Sequence, residues 1–210
     1  MKKLAVLIIA SLVTAFSVNA AEMSAQAKSV LSAIEDANAS ITTIESPVTE
    51  NRTLPNGKSF VSEGMFYFTN PNLLAIRYTN PADEYLVVNA TQIAQKKKHG
   101  KTFKFDLAKN QTMQELSNTL LWCISGKLIK LAEANNASVT VSESNGVINV
   151  VFKAEGASGR DFKKIELTYD AATKRIKTMA LTDKNNIVTK YTINKPKYGS
   201  AIPASTFEIK

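Results

Sequence analysis

Side chains that could perform chemistry are few in this sequence and lie far apart. The single histidine, His99, lies among the lysines at 96–98 and 101, and this positive surrounding makes it a poor general base. The single cysteine, Cys123, lies in the apolar run 120–124, where a thiol behaves as a small hydrophobic side chain. We therefore expect neither a nucleophile–histidine pair nor a His/Cys metal cluster.

The other signatures of catalysis are equally weak. Asp83 and Glu84 are adjacent acids in a predicted loop, where carboxylates are usually solvated, and nothing marks them as a glycosidase pair. The sequence contains no phosphate-binding glycine motif. We predict that the protein is not an enzyme and uses no metal or cofactor.

The first twenty residues have the pattern of a secretory signal peptide. Two lysines precede an apolar run that ends at Val18, and the small-x-small pattern of 18–20 is the kind that a signal peptidase accepts. We predict cleavage after Ala20, followed by a single domain over residues 21–210 with a net charge of about +6. The residues next to the predicted cleavage site include no cysteine that could carry a lipid anchor. Export also argues against nucleic acid as a partner.

Two segments have the three-and-four spacing of apolar residues that is typical of helices. The first covers about 21–44 and must end by Pro47. The second begins near Thr112, which forms a predicted capping box with Glu115. Gly126 is expected to divide this second segment into two helices.

Elsewhere the apolar residues alternate with polar ones, as they do in antiparallel strands. The clearest hairpin has Asn145 and Gly146 at its turn, because this pair favours the tight turn whose twist matches paired strands. The predicted strands cover residues 60–69, 73–78, 85–88, 92–96, 102–105, 139–141, 147–152, 162–169, 176–182 and 187–193. We predict an α+β fold, with a strongly curved antiparallel sheet of about ten strands and helices packed on one face.

The apolar side chains of this sheet and of the second helical segment allow two interpretations. They could form an ordinary close-packed core. They could also enclose a cavity for acyl chains, because each buried methylene contributes about 0.8 kcal/mol and a curved sheet with a helical lid can surround such chains. Phe152 on a strand and Trp122 on the helical segment belong to this apolar set.

The segment 64–81 combines a Gly-containing aromatic strand, two Asn–Pro turns and a second apolar strand between them. Together with the hairpins over 165–183 and the late Phe207, it resembles the LolA-type family, the periplasmic carriers of outer-membrane lipoproteins. The resemblance implies an unclosed β-barrel that is covered by a lid of helices. It also implies a periplasmic protein that carries acyl chains without making or breaking a bond.

The resemblance further implies which side chains hold the cargo. Four apolar positions on the strands line the cavity in the family, and three leucines fall on its lid. With the two members of the apolar set named above, the candidate lipid-binding residues are Phe66, Phe68, Leu74, Ile76, Leu116, Leu120, Leu121, Trp122 and Phe152. The family usually has a lid-latching arginine at the position that Asn70 occupies here.

The leading hypothesis is a monomeric periplasmic carrier that takes the acyl chains of lipoproteins from an inner-membrane exporter to an outer-membrane acceptor. One alternative is a carrier of free lipid or of a lipid-like precursor. A second alternative, from another class, is an interaction module that presents the lysines at 96–98 and 101 to an acidic protein. The two classes differ in whether the protein binds acyl chains.

Overall fold

The computed structural model describes residues 16–18, 23–97, 100–154 and 162–209. Its strands are β1 (Phe16–Val18), β2 (Thr43–Thr53), β3 (Ser59–Thr69), β4 (Leu73–Asn80), β5 (Ala82–Val88), β6 (Gln92–Lys96), β7 (Thr102–Asp106), β8 (Ala137–Ser144), β9 (Val147–Ala154), β10 (Phe162–Asp170), β11 (Ile176–Asp183), β12 (Val188–Ile193) and β13 (Lys197–Tyr198). The helices are α1 (Ala25–Asn38), α2 (Gln111–Ser125), α3 (Leu128–Ala134) and a short 3-10 helix, Ala204–Phe207.

All of these strands belong to one antiparallel sheet. Its order is β1-β8-β9-β10-β11-β12-β2-β3-β4-β5-β6-β7, and β13 adds to β2. Within the described residues the two ends of this order, β1 and β7, do not pair with each other, so the sheet stays open. The predicted α+β fold with an unclosed antiparallel sheet and helices is confirmed, with more strands than the ten predicted.

The predicted signal peptide lies almost entirely outside the described residues. Its residues 16–18 form β1 and pair with 139–141 of β8. Cleavage after Ala20 therefore stays a prediction. Lys98 and His99 also lie outside the described residues.

The first helix is shorter than the sequence pattern predicts. α1 starts after Ser24, whose side chain accepts a hydrogen bond from the Ala27 N–H at 3.1 Å, and it ends at Asn38 instead of near 44. The Asn38 amide donates to the Ile34 carbonyl at 2.7 Å and to the Lys174 carbonyl at 2.9 Å. The bond to Lys174 fastens the end of the helix to the turn between β10 and β11.

The residues after α1 form β2, a strand that the sequence analysis missed. Side chains at alternate positions of β2 are buried, but two of these inward residues, Ser46 and Glu50, are polar. Pro47 lies inside the strand opposite Met65, and a proline there normally argues against a strand. Polar residues on the inner face and an internal proline thus hid the period of two.

The second helical segment divides as predicted, although its start differs. α2 is capped by Asn110, whose side-chain oxygen accepts from the Met113 N–H at 3.0 Å. The predicted capping box of Thr112 and Glu115 was wrong, because both residues lie inside the helix. Gly126 adopts a φ of 76° at the end of α2, a conformation that glycine tolerates and that stops the helix before α3.

The hairpin predicted at Asn145 and Gly146 is confirmed. Ser144 pairs with Val147, and the two turn residues have φ values of 51° and 72°. Positive φ at both positions defines the turn that suits the twist of paired strands.

Apolar side chains pack on both faces of the sheet. The inner face and the three helices share one large core cluster, which includes Leu31, Phe68 and Leu128. A smaller cluster on the outer face contains Tyr85 and Phe207. The Arg77 guanidinium holds the C-terminal segment over that outer face by donating to the Thr206 carbonyl at 3.1 and 2.7 Å.

Candidate functional site

A cavity of about 490 Å³ lies between the inner face of the sheet and the first half of α2. Its volume falls within the roughly 300–1,000 Å³ that is usual for small-molecule sites. Strands from both sides of β2 contribute to the wall. The lining residues are Glu50, Arg52, Leu86, Ile93, Ala94, Gln95, Lys97, Phe103, Phe105, Met113, Leu116, Leu120, Phe162, Leu181, Asp183, Ile187, Thr189 and Tyr191.

Most of this wall is apolar. Helix α2 contributes Met113, Leu116 and Leu120, which are three or four residues apart and therefore share one helical face. Leu86 on β5 and Phe105 on the end strand β7 lie among the residues opposite. Phe103 and Phe105 are also exposed, so the apolar wall continues to the surface of the protein.

A row of polar side chains crosses the sheet beside this cavity. Tyr191 on β12 is opposite Glu50 on β2, and the Tyr78 hydroxyl on β4 donates a hydrogen bond to Glu50 Oε2. Lys97, which follows β6, has its Nζ 3.2 Å from Glu84 Oε2 and 3.9 Å from Glu50 Oε1. The strand register thus joins five side chains from five parts of the chain into one network, which we call the polar row: Glu50, Tyr78, Glu84, Lys97 and Tyr191.

The polar row depends on a glycine in β3, the strand between β2 and β4. Gly64 lies opposite Val48 on one side and Tyr78 on the other. A Cβ atom at this position would lie 2.3 Å from the Arg77 carbonyl oxygen and 2.8 Å from Tyr78 Cα. A side chain there is sterically excluded, and its absence lets β4 approach β3 closely.

The members of the polar row other than Lys97 are deeply buried, although they are charged or polar. Glu50 is 5% exposed and Glu84 is 7% exposed. Burial, followed by the nearby Tyr191 and Glu50 side chains, raises the pKa of Tyr78 well above its usual value. Its hydroxyl therefore stays protonated and acts as a donor to Glu50. The Lys97 ammonium also lies 5.1 Å from the centre of the Tyr78 ring, within cation–π range.

The nine predicted lipid-binding residues all pack in or against the inner core, but most of them lie away from the cavity. Leu116 and Leu120 line it. Phe66, Phe68, Leu74, Ile76, Leu121 and Phe152 are buried in the core, and Trp122 packs against it while half-buried.

Several cavity residues were not predicted as such from the sequence, among them Glu50, Lys97 and Phe105. Phe105 belongs to a predicted strand, and its alternation with Phe103 was the available signal for an apolar wall. Glu50 and Lys97 are distant in the sequence, and no local motif joins them. Only the register of β2 through β6 brings them together.

Hydrogen bonds fasten the helices to the sheet at the end away from the cavity. The buried Tyr169 hydroxyl on β10 donates to the Cys123 carbonyl of α2 at 3.0 Å, and Arg175 donates to the Ala37 carbonyl of α1 at 2.8 Å. Asn70, at the position of the family arginine, donates to the Ile41 carbonyl at 3.3 Å. In the described residues, the hydrogen bonds of Asn70 therefore do not reach α2.

The described parts of the chain contain neither a candidate metal centre nor a candidate membrane-spanning helix. No group of three His, Cys, Asp or Glu side chains there is placed to hold a metal ion. None of the described helices combines the length and the hydrophobicity that a membrane-spanning helix needs. Burial raises the pKa of the Cys123 thiol well above its usual value, which makes this cysteine a packing residue.

An open antiparallel sheet with helices over a mostly apolar cavity is an architecture that can bind an apolar ligand. The model of the family "outer membrane lipoprotein carrier protein LolA" matches residues 51–210. The chain belongs to this family.

The solved structures that match the chain share little sequence with it. A LolA superfamily protein from Nitrosomonas europaea has 8% identity and a TM-score of 0.43, and the match covers 87% of this chain and 97% of that one. The lipoprotein LppX of Mycobacterium tuberculosis has 11% identity and a TM-score of 0.41, with 86% and 99% covered. The complex of Pseudomonas aeruginosa MucA and MucB gives 11% identity, a TM-score of 0.43, and 89% and 62% covered. No curated protein matches the chain.

Proposed function

We propose that this protein is a periplasmic carrier that holds the acyl chains of lipoproteins in the cavity beneath α2. In this proposal, it receives the chains from an inner-membrane exporter and passes them to an outer-membrane acceptor. The observation that carries the proposal is the 490 Å³ cavity with an apolar wall that reaches the surface at Phe103 and Phe105. Membership of the LolA family supports the same function.

Burial of the acyl chain supplies the affinity. Each methylene that moves from water into the cavity contributes about 0.8 kcal/mol, so about ten buried methylenes supply the roughly 8 kcal/mol that corresponds to micromolar binding. Met113, Leu116 and Leu120 on one face of α2 cover the chain from above. Release requires that this half of the helix move away from the sheet.

The position of the hydrogen bonds fits such a movement. Tyr169 fixes α2 at Cys123, near the end of the helix, whereas the side-chain hydrogen bonds of its first half, from Ser117 to Met113 and from Gln111 to Glu115, stay within the helix. Within the described residues, neither of these side-chain hydrogen bonds reaches the sheet. The helix is therefore fixed at its end and held by apolar contact at its start.

A charge placed on the cavity face of α2 tests the site. We expect Leu116→Glu to weaken binding of a fluorescent fatty acid at least tenfold, because a carboxylate in an apolar cavity loses its hydration. Binding is measured by fluorescence titration of the purified protein, after circular dichroism has shown that the variant is folded. The matched control is Gln114→Glu, which adds the same charge at an exposed position of the same helix.

Equal affinity in the two folded variants would contradict the site. Failure of the unmodified protein to bind any acyl probe would contradict the proposed function itself. In that case, a salt-sensitive complex with an acidic protein would support the interaction-module alternative.

A further inference from the structure

The polar row gives the cavity a chemically distinct wall. Glu50, Lys97 and Tyr191 all line the same space as Leu116 and Leu120. A pure hydrocarbon ligand offers no hydrogen-bond or ion-pair partner to charged groups in the wall. The burial of these groups costs free energy unless they are paired. An amphiphilic ligand, however, could place its acyl chain against the leucines and its polar head against the row.

The two carboxylate oxygens of Glu50 have different surroundings. Oε2 accepts the Tyr78 hydroxyl. Within the described residues, the one ion pair of Oε1 is with Lys97 Nζ at 3.9 Å, which is beyond hydrogen-bond distance. Oε1 therefore keeps capacity to accept a hydrogen bond, and Glu50 is one of the residues that line the cavity.

Lys97 does not occupy this capacity, because its ammonium lies nearer to another acid. Its Nζ is 3.2 Å from Glu84 Oε2, a hydrogen-bonding distance for an ion pair. Lys97 is also 36% exposed, while the Glu50 side chain is 6% exposed. The buried acceptor and the partly exposed cation thus face the cavity side by side.

We propose that Glu50 recognises an N–H group in the polar head of the ligand, either an ammonium or an amide next to the acyl chains. The inference rests on the proposed function, since it names the chemistry of the cargo in the same cavity. A charge-assisted N–H hydrogen bond to Glu50 Oε1 would orient the ligand with its head at the polar row and its chains beneath α2. Such a head occurs in an aminated phospholipid and, as an amide, in the acylated N-terminus of a lipoprotein.

The test compares probes that have the same acyl chains and different heads. Phosphatidylethanolamine offers an ammonium, phosphatidylglycerol offers only hydroxyl groups, and a synthetic diacylated, N-acylated cysteine peptide offers amides. Each probe displaces the fluorescent fatty acid from the full protein, and the ratio of two dissociation constants measures selectivity for the head. We expect the phosphatidylglycerol constant to exceed that of at least one nitrogen-bearing probe by about tenfold, as one charge-assisted hydrogen bond allows.

Glu50→Gln should abolish this ratio. The glutamine oxygen can still accept the Tyr78 hydroxyl, while its amide N–H would meet the N–H of the ligand. Glu63→Gln is the matched control, since it removes the same charge from an exposed position on β3. If Glu50→Gln does not fold, Lys97→Gln still tests the proposal. It removes a positive charge 3.9 Å from Glu50 Oε1 that would repel a ligand ammonium, and it should increase the ratio for the ammonium probe several-fold.

The outcomes separate the two sources of the head and the two levels of the proposal. If Glu50→Gln loses selectivity for phosphatidylethanolamine alone, the group that Glu50 recognises is an ammonium. If it loses selectivity for the peptide, that group is an amide. Equal constants for all heads in the unmodified protein, or a ratio that neither variant changes, would overturn the role of Glu50 while the carrier function stands. Absence of any acyl binding would overturn both.

Discussion

The inner face of the sheet has two halves that share one backbone pattern and differ in what covers them. At one end, Leu31 and Ile34 of α1 and Leu128 and Leu131 of α3 are fully buried in the core. At the other end, beneath the first half of α2, the sheet borders a cavity. We call these the packed half and the cavity half.

Strand β2 passes through both halves and shows how they differ. Its buried residues alternate from Ile44 to Glu50. Ile44 and Val48 join the core cluster, whereas Glu50 and the exposed Arg52 line the cavity. The strand period is the same in both halves. The types of side chain at the inward positions therefore decide where the core closes and where space remains.

The largest effect should come from adding a side chain at Gly64, where β3 and β4 approach each other closely. We expect Gly64→Val to lower the free energy of unfolding by at least about 4 kcal/mol, because even a Cβ atom there meets the Arg77 carbonyl oxygen at 2.3 Å. Urea denaturation followed by circular dichroism measures the change. Ser62→Val is the control, since it adds a β-branched residue to the same strand at a half-buried position.

A Gly64→Val protein as stable as the Ser62→Val control would show that β3 and β4 can separate without cost. The close approach of these strands would then not be what brings Tyr78 to Glu50.

A smaller and more selective effect should distinguish the two halves directly. We expect Leu128→Ala in the packed half to cost about 2–5 kcal/mol, because the close-packed core cannot fill the space that is left. Leu116→Ala in the cavity half should cost only about 1 kcal/mol, since this half-buried side chain already borders open space. Denaturation of both variants measures the difference.

The same two variants should change acyl binding in the opposite order. Leu116→Ala should weaken binding of the fatty acid several-fold, because it removes part of the apolar wall. Folded Leu128→Ala should bind the fatty acid as tightly as the unmodified protein does. Equal costs in stability together with equal affinities would remove the distinction between the halves.

Much of the packed half could be predicted from the sequence, because its signals are local. Asn145 and Gly146 specify a hairpin turn, Gly126 ends a helix, and apolar periodicity marks most of the strands and the faces of the helices. These features act within a few residues of the chain. The strand that carries Phe66 and Phe68, two of the candidate lipid-binding residues, was predicted in this way, and both side chains are buried in the core.

The cavity half was less accessible to prediction, because its features depend on distant pairing. Glu50 lies on β2, a strand that Pro47 and the polar inward residues concealed. Its contacts with Tyr78 and Lys97 arise only when β2 through β6 pair in register. Whether apolar side chains touch each other or enclose space is likewise a property of the assembled layers, so the sequence left both interpretations open.

Photo-crosslinking tests the central claim, that acyl chains lie beneath the first half of α2, most directly. A fatty acid with a diazirine near the end of its chain is irradiated with the protein, and the modified peptides are identified by mass spectrometry. We expect crosslinks to Met113, Leu116 or Leu120 and to the strand residues opposite, such as Leu86 and Ile93. Saturable crosslinks confined to α1, α3 or the outer face of the sheet would contradict the account.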